Sequence, residues 1–296
     1  MPSRSGQPPS LPPAQLVELP GRGTTYVHEM PGPPDAPTVV LLHGWTATAP
    51  LNWFAAFEPL GEHFRVVALD HRGHGQGIRS RKPFRLEDCA DDTAALAEVL
   101  GLDTVIPVGY SMGGPIAQLL WRRHRPLVGG LVLCATAERF VGNRPTDRAF
   151  TSGVFGLSLA ASFSPVGLRQ RAADLFLCNR FDGTPMGDWA ASELRRGDPV
   201  AILQAGLALR LYDSSDWSPA IDVPTAVIVT TADTVVLPTS QLALARAIPG
   251  AQIYRVSGDH GVAAYRPKMF MPTLLAACLS VAGEVQRQPP TALSRP

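Results

Sequence analysis

The fold of this protein is decided by the ten residues TVIPVGYSMG at positions 104–113. The first five are mostly apolar and predict a buried strand, and residues 112–123 predict the helix that follows. Between them Gly109, Ser111 and Gly113 form a G-x-S-x-G motif, which in this setting predicts a sharp turn that lifts the Ser111 hydroxyl out of the sheet. The glycines leave room where a Cβ would collide with neighbouring backbone. The helix N-terminus directs partial positive charge at the serine.

Outward from this turn, short apolar runs alternate with amphipathic segments along most of the chain. Strands that are apolar on both faces belong in a parallel sheet covered by helices, so the pattern predicts an α/β fold with a mostly parallel, doubly wound sheet. The other predicted strands are Thr38–Leu42, Arg65–Leu69, 127–134, Thr225–Thr230 and Gln252–Val256. The other predicted helices cover residues 86–100 and 239–247.

The same pattern divides the chain into five segments. Residues 1–20 are rich in proline and predict a flexible tail, and residues 284–296 predict another. The sheet and its helices are expected in two parts, 21–136 and 220–283. The stretch 137–219 contains no clear buried strand but holds nine of the 21 aromatic residues. It predicts a helical insertion whose aromatic residues form a core of their own or line an apolar pocket.

A serine hydroxyl is a weak nucleophile, so Ser111 needs a base to take its proton. Seven histidines are candidates. Functional groups in such sheets gather beyond the carboxyl ends of strands, which disfavours His28 and His63. His124 follows Ser111 by about twelve residues of helix, too far at ~1.5 Å per residue. His260 follows the last predicted strand and is the predicted base. The remaining candidates, His43, His71 and His74, also follow strand ends.

The base in turn needs a carboxylate that orients it and stabilises its protonated form. Asp233 follows the strand Thr225–Thr230 and precedes His260, which gives the chain order nucleophile, acid, base. Asp259 is a rival, but neighbouring side chains on an extended segment point apart. Asp213 is a further rival, with a helix cap or a surface charge as its alternative role.

Negative charge on a tetrahedral intermediate needs hydrogen-bond donors that are already in place. The backbone N–H of Met112, directly after the nucleophile, is one candidate. The N–H of Trp45, in the loop after the strand Thr38–Leu42, is the second. Gly44 lets that backbone approach closely. His43 is interpreted as a structural residue of this loop.

The turn from Asp70 to Gly75, with sequence DHRGHG, also follows a strand. Metal binding through His71 and His74 is one interpretation, but no further ligands cluster around them. A loop braced by a salt bridge of Asp70 or Arg72 is the interpretation that the sequence favours.

Composition excludes several classes of function. Hydrophobic residues make up 45% of the chain, and 26 basic residues nearly balance 25 acidic ones. This balance argues against a strongly basic nucleic-acid-binding face and a polybasic membrane anchor. The four cysteines form no C-x-x-C motif. Neither an apolar signal-peptide stretch nor an apolar run of ~18 residues is evident, so we expect a cytoplasmic protein with no membrane span.

These motifs together resemble the α/β-hydrolase superfamily over about residues 20–284. Four elements agree in order: the loop His43–Trp45, the turn Asp70–Gly75, the serine motif, and Asp233 followed by His260. The resemblance implies that 137–219 is a variable cap, and that Ser111, His260 and Asp233 are nucleophile, base and acid. It likewise implies Trp45 and Met112 as oxyanion donors. Two positions depart from the family pattern: Gln76 and Gly77 stand where a serine is common, and Thr230 stands where a glycine is common.

The resemblance implies a cofactor-free hydrolase that acts through an acyl-enzyme, and no metal is expected. We expect a small or medium, largely apolar acyl substrate and a monomer or homodimer. A serine at 111 excludes the haloalkane dehalogenases and epoxide hydrolases of this fold, which need a carboxylate nucleophile. The favoured function is a carboxylesterase-like hydrolase that forms an acyl-enzyme on Ser111. Acyl transfer, perhydrolysis of the haloperoxidase type and a non-catalytic ligand receptor remain alternatives.

Overall fold

Eight strands form one sheet in the structure, a computed structural model that describes residues 8–140 and 184–287. The order across the sheet is β1-β2-β4-β3-β5-β6-β7-β8. Strands β3 to β8 run parallel and β1 and β2 are antiparallel at one edge. This confirms the predicted α/β class. The strands are β1 Ala14–Leu19, β2 Gly23–Met30, β3 Thr38–Leu42, β4 Arg65–Leu69, β5 Val105–Tyr110, β6 Leu131–Cys134, β7 Thr225–Thr230 and β8 Gln252–Val256.

The centre of the sheet is buried on both faces, as the unbroken apolar runs predicted. Every residue of β3, β5, β6 and β7 is buried. The parallel register pairs Leu42 with Gly109 and Tyr110 with Cys134. The carboxyl ends of these strands therefore lie side by side at one edge, where the serine motif emerges.

The two antiparallel strands were not predicted from the sequence. The predicted tail over residues 1–20 is wrong for Ala14–Leu19, which forms β1 and pairs along its whole length with β2. Gly21 in the turn and Gly23 at the start of β2 adopt positive φ angles of 71° and 126°, a conformation that glycine adopts without steric cost. Leu19 is fully buried. The strand forms because β2 supplies hydrogen-bond partners, which no local pattern in a proline-rich segment reveals.

Helices cover both faces of the sheet. The predicted helices over 86–100, 112–123 and 239–247 are found within one residue of the expected ends. The helices are α1 Ala49–Trp53, α2 Phe57–Gly61, α3 Leu86–Val99, α4 Gly113–Arg123, α5 Pro185–Arg195, α6 Pro199–Leu211, α7 Pro238–Ala247, α8 Val262–Tyr265 and α9 Pro267–Arg287.

Helix α9 extends further than the sequence predicted. It includes residues 284–287, which were expected in the second tail, and it continues through Pro272. By length and composition α9 could cross a membrane. It packs instead against β7 and β8, with Phe270, Leu274 and Ala277 fully buried. These contacts are those of a core helix.

The insertion predicted over residues 137–219 is described at 137–140 and 184–219 only. Its described part holds α5 and α6 and no strand longer than a single bridge. The five phenylalanines between 141 and 183 lie outside the described residues. Both helices contact loops at the carboxyl ends of the strands: the Thr48 hydroxyl donates to Glu193 (3.1 Å) and the Asp198 N–H donates to the Gly73 carbonyl (2.7 Å).

Candidate active site

The serine motif forms the tight turn between β5 and α4. Ser111 has a φ of 53°, a left-handed conformation that is costly for a residue with a side chain. A Cβ on Gly109 would lie 2.2 Å from the Gly113 carbonyl oxygen, and one on Gly113 would lie 2.1 Å from the Leu42 carbonyl oxygen. Only glycine fits at both positions, so the sequence spacing is dictated by the packing of the turn.

The end of β6 and the residues that follow it hold this turn in place. The N–H of Ser111 donates to the Cys134 carbonyl oxygen (2.9 Å), and the Thr136 hydroxyl donates to the carbonyl oxygen of Ser111 (2.8 Å). These bonds fix both backbone polar groups of the strained residue. Its side chain is left to point away from the sheet.

The structure brings Ser111, His260 and Asp233 together in one hydrogen-bonded chain. The Ser111 Oγ lies 2.9 Å from His260 Nε2, and His260 Nδ1 lies 2.8 Å from Asp233 Oδ2. A histidine that donates from Nδ1 to a carboxylate leaves Nε2 free to accept the serine proton. Asp233 is 2% exposed, so its charge acts on the imidazole with little screening by water.

Asp233 accepts hydrogen bonds at both carboxylate oxygens. Oδ1 accepts from the N–H groups of Val235 (2.8 Å) and Val236 (2.9 Å), and Oδ2 also accepts from the Thr230 hydroxyl (2.7 Å). Burial alone would raise the pKa of Asp233, but the bonds from His260, Thr230 and Val236 hold that pKa below its usual value. The carboxylate is therefore the ionised orienting group that the histidine requires.

The rival acids do not reach the histidine. Asp259 Oδ1 accepts from the N–H of Gly261 (3.0 Å) in its own turn. Asp213 Oδ1 accepts from the N–H of Ser215 (2.9 Å), and its other oxygen lies 3.5 Å from Arg139. His124 pairs with Asp91 (2.8 Å) at the far end of α4. Of the alternatives weighed from the sequence, these three have structural partners of their own.

The loop after β3 presents the predicted oxyanion donors. The N–H of Gly44 donates to Asn52 Oδ1 (2.9 Å). A Cβ on Gly44 would lie 3.3 Å from the Cβ of Ser111, so the loop passes close beside the nucleophile. The N–H groups of Trp45 and Met112 have no partner among the described residues, as the predicted role of oxyanion donor requires.

His43 is held within this loop by hydrogen bonds at both ring nitrogens. Its Nε2 accepts from the N–H of His71 (2.9 Å), so Nδ1 bears the hydrogen and donates to the Gly44 carbonyl oxygen (2.8 Å). Burial lowers the pKa of His43 to about 4, which keeps the ring neutral. This matches the structural role predicted for His43.

The DHRGHG turn is braced by its acidic and basic residues. Both nitrogens Nε and Nη2 of Arg72 donate to Asp92 (2.7 and 2.6 Å). Asp70 accepts from the N–H groups of Ala49 and Gln76 (2.7 Å each). Arg72 thus forms a salt bridge with Asp92, whereas the Asp70 carboxylate links the backbone of α1 to the backbone of the turn.

Four residues at the site were not predicted to have a role there. Nothing in the sequence indicated a role for Asn52 or Gln241, because a single amide side chain in a helix occurs in many structural settings. The Tyr110 hydroxyl donates to the carbonyl oxygen of His260 (2.7 Å), and its position inside the motif was the only hint. Thr230 was visible in the sequence as a departure from the family pattern.

A mostly parallel sheet, a strained serine turn and a histidine–aspartate pair at the ends of the last strands define an α/β hydrolase. The family model for the alpha/beta hydrolase fold matches residues 37–261, and the chain belongs to that family.

Individual relatives align with parts of the chain. It is 37% identical over 126 residues to proline iminopeptidase PfmaB of Pestalotiopsis fici, covering 42% of this chain and 44% of that protein. It is 42% identical over 84 residues to bifunctional esterase/perhydrolase DCH of Acinetobacter calcoaceticus, covering 28% and 30%. These alignments span less than half the length of either relative.

A solved structure covers nearly the whole chain. A thermophilic esterase from Thermogutta terrifontis superposes with a TM-score of 0.72 at 24% identity, over 92% of this chain and 99% of that one. This likeness shows the shared fold. The relatives together support an enzyme of the hydrolase type.

Proposed function

We propose that this protein is a serine hydrolase that cleaves carboxylic esters with small or medium, apolar acyl groups. The observation that carries the proposal is the continuous hydrogen-bonded chain from Ser111 Oγ through His260 to Asp233, at 2.9 and 2.8 Å. A hydroxyl activated in this way attacks acyl carbon.

The proposed reaction has two steps, formation of an acyl-enzyme and its hydrolysis. His260 takes the proton of Ser111 as the hydroxyl attacks the ester carbonyl, and Asp233 stabilises the imidazolium. The N–H groups of Met112 and Trp45 donate to the oxyanion. His260 then gives its proton to the leaving alcohol, and water activated by His260 releases the acid from the acyl-enzyme.

The residues around the triad of Ser111, His260 and Asp233 favour an apolar acyl group. Val235 and Leu237 follow Asp233 on the same loop and are 70% and 55% exposed. Trp45 adds a large apolar side chain on the loop His43–Trp45 after β3, here called the oxyanion loop. The near-zero net charge gives no field that would attract a strongly charged substrate.

Labelling with a fluorophosphonate tests the proposal without a known substrate. We expect one adduct, located on Ser111 by peptide mass spectrometry, together with cleavage of p-nitrophenyl esters. Ser111→Ala should abolish both, while Ser257→Ala, an exposed serine on the loop before His260, should change neither. Folded wild-type protein that takes no label and cleaves no ester would show the proposal to be wrong.

Perhydrolysis is the second candidate, because the relative from Acinetobacter calcoaceticus is by name an esterase and perhydrolase. The same acyl-enzyme would then be attacked by hydrogen peroxide in place of water, giving a peracid. Alcohol acceptors test acyl transfer in the same way. Product analysis with water alone, with peroxide and with added alcohol separates the three reactions.

A further inference from the structure

Thr230, at the end of β7, stands in contact with the triad carboxylate. Its hydroxyl lies 2.7 Å from Asp233 Oδ2, the same oxygen that His260 contacts at 2.8 Å. Thr230 is fully buried and Asp233 is 2% exposed. Because both side chains are shielded from solvent, the bond is stronger than the same bond would be at the surface.

Gln241, on α7, fixes the direction in which that hydroxyl points. Its Oε1 accepts from the backbone N–H of Thr230 (3.0 Å) and its Nε2 donates to the Val236 carbonyl oxygen (2.7 Å). These two backbone groups determine the amide orientation. Nε2 also donates to the Thr230 hydroxyl oxygen (2.8 Å), which leaves the hydroxyl hydrogen for Asp233.

The amide reaches the carboxylate as well, with Nε2 at 3.2 Å from Asp233 Oδ2. Gln241 is fully buried. Nε2 has two hydrogens and already bonds to Val236 and Thr230, so its longer contact with Oδ2 shares one of them. The oxygen that orients His260 thus accepts from the Thr230 hydroxyl on β7 and from a shared amide hydrogen on α7. This pair is separate from the backbone N–H groups that bind Oδ1.

We propose that Thr230 and Gln241 are positioning residues that hold the Asp233 carboxylate towards His260 and withdraw part of its negative charge. This inference rests on the proposed function, because it concerns the same triad. A donor at Oδ2 weakens the attraction between the carboxylate and an imidazolium. Removal of a donor at Oδ2 should therefore change the pH dependence of labelling at Ser111.

Thr230→Val tests the hydroxyl because it removes the donor and keeps the shape. Without it Oδ2 carries more charge and stabilises the imidazolium more strongly. We expect the pH of half-maximal fluorophosphonate labelling to rise by about half a unit. The maximal labelling rate should fall about tenfold, since the carboxylate is held less firmly. Thr230→Ser, which keeps the hydroxyl, should restore the wild-type midpoint.

Thr225→Val is the matched control, since Thr225 lies on the same strand and is buried, and its hydroxyl bonds only to the Val223 carbonyl oxygen among the described residues. We expect it to leave the midpoint unchanged. A midpoint that stays at the wild-type pH in Thr230→Val, or one that Thr230→Ser shifts equally, would overturn the inference.

If circular dichroism shows that Thr230→Val does not fold, two further variants still test the inference. Thr230→Ala introduces no new contact, and Gln241→Met removes the amide donors; each should raise the midpoint. An unmoved midpoint in both also overturns the inference. Wild-type protein that takes no label contradicts the proposed function itself, whereas a labelled wild type with unmoved variants contradicts only the role of this pair.

Discussion

At the scale of single residues, Asn52 binds the N–H of Gly44 and leaves the neighbouring N–H of Trp45 as the proposed oxyanion donor. Two adjacent N–H groups, of Gly44 and Trp45, lie on the loop beside Ser111. Asn52 accepts from Gly44 at 2.9 Å, and the carbonyl oxygen of Gly44 accepts from His43. The bond to Asn52 fixes the peptide plane before Gly44. The bond from His43 fixes the next plane, which carries the Trp45 N–H and leaves it available.

Asn52→Leu tests this preparation. It leaves the Gly44 N–H buried without an acceptor, which costs about 1–3 kcal/mol of folding stability. We expect kcat on p-nitrophenyl esters to fall by about 10- to 100-fold with little change in KM, because an oxyanion donor acts mainly in the transition state. Steady-state kinetics and denaturant unfolding measure both effects. An unchanged kcat beside a lower stability would limit Asn52 to bracing the fold.

Among the elements, α6 is joined to the oxyanion loop through one side chain. The indole N–H of Trp45 donates to the Ile202 carbonyl oxygen (2.7 Å). Gly206 lies one turn further along α6, and a Cβ there would stand 2.6 Å from Cζ2 of Trp45. A glycine inside a helix costs about 1 kcal/mol relative to alanine. Here it makes room for the indole.

Helix propensity alone predicts that Gly206→Ala stabilises the protein, but the contact with Trp45 should cancel that gain. We expect no gain in the free energy of unfolding, and a lower kcat because displaced Trp45 moves the oxyanion loop. The matched control is Gly283→Ala in α9, where an added Cβ would meet only the far end of Arg287 at 3.6 Å. That control should gain up to about 1 kcal/mol. Equal stabilisation by both substitutions, with unchanged kcat, would contradict the contact.

At the scale of the whole molecule, three buried histidines make stability sensitive to acid. His43, His71 and His74 pack together, with ring centroids 4.3 and 5.3 Å from His43. Burial lowers the pKa of His43 to about 4, that of His74 to about 3 and that of His71 well below its usual value. The folded protein keeps these rings neutral where the unfolded chain protonates them.

Stability should consequently fall as the pH drops from about 6.5 to about 4. Over this range the unfolded state binds more protons, and each histidine costs about 1.4 kcal/mol per pH unit. Asp70 and Glu193, whose pKa values burial raises, offset part of the loss. Urea unfolding at a series of pH values measures the slope.

Two histidine variants identify the source of that slope. His74→Asn should reduce it by about one third, since one of the three rings is removed. His63→Asn should leave it unchanged because His63 is exposed. A slope that is the same in His74→Asn as in the wild type would place the acid sensitivity elsewhere.

The sequence by itself determined the central parallel strands, the serine turn and the three residues of the triad. Each rests on a local pattern: apolar runs that need burial on both faces, and glycines whose missing Cβ the turn requires. The tertiary structure decided the rest. It placed Ala14–Leu19 against β2 and brought Thr230 and Gln241 onto Asp233. The local sequence around these residues is compatible with several environments. Which hydrogen bond each residue forms depends on the partner that the folded chain brings within reach.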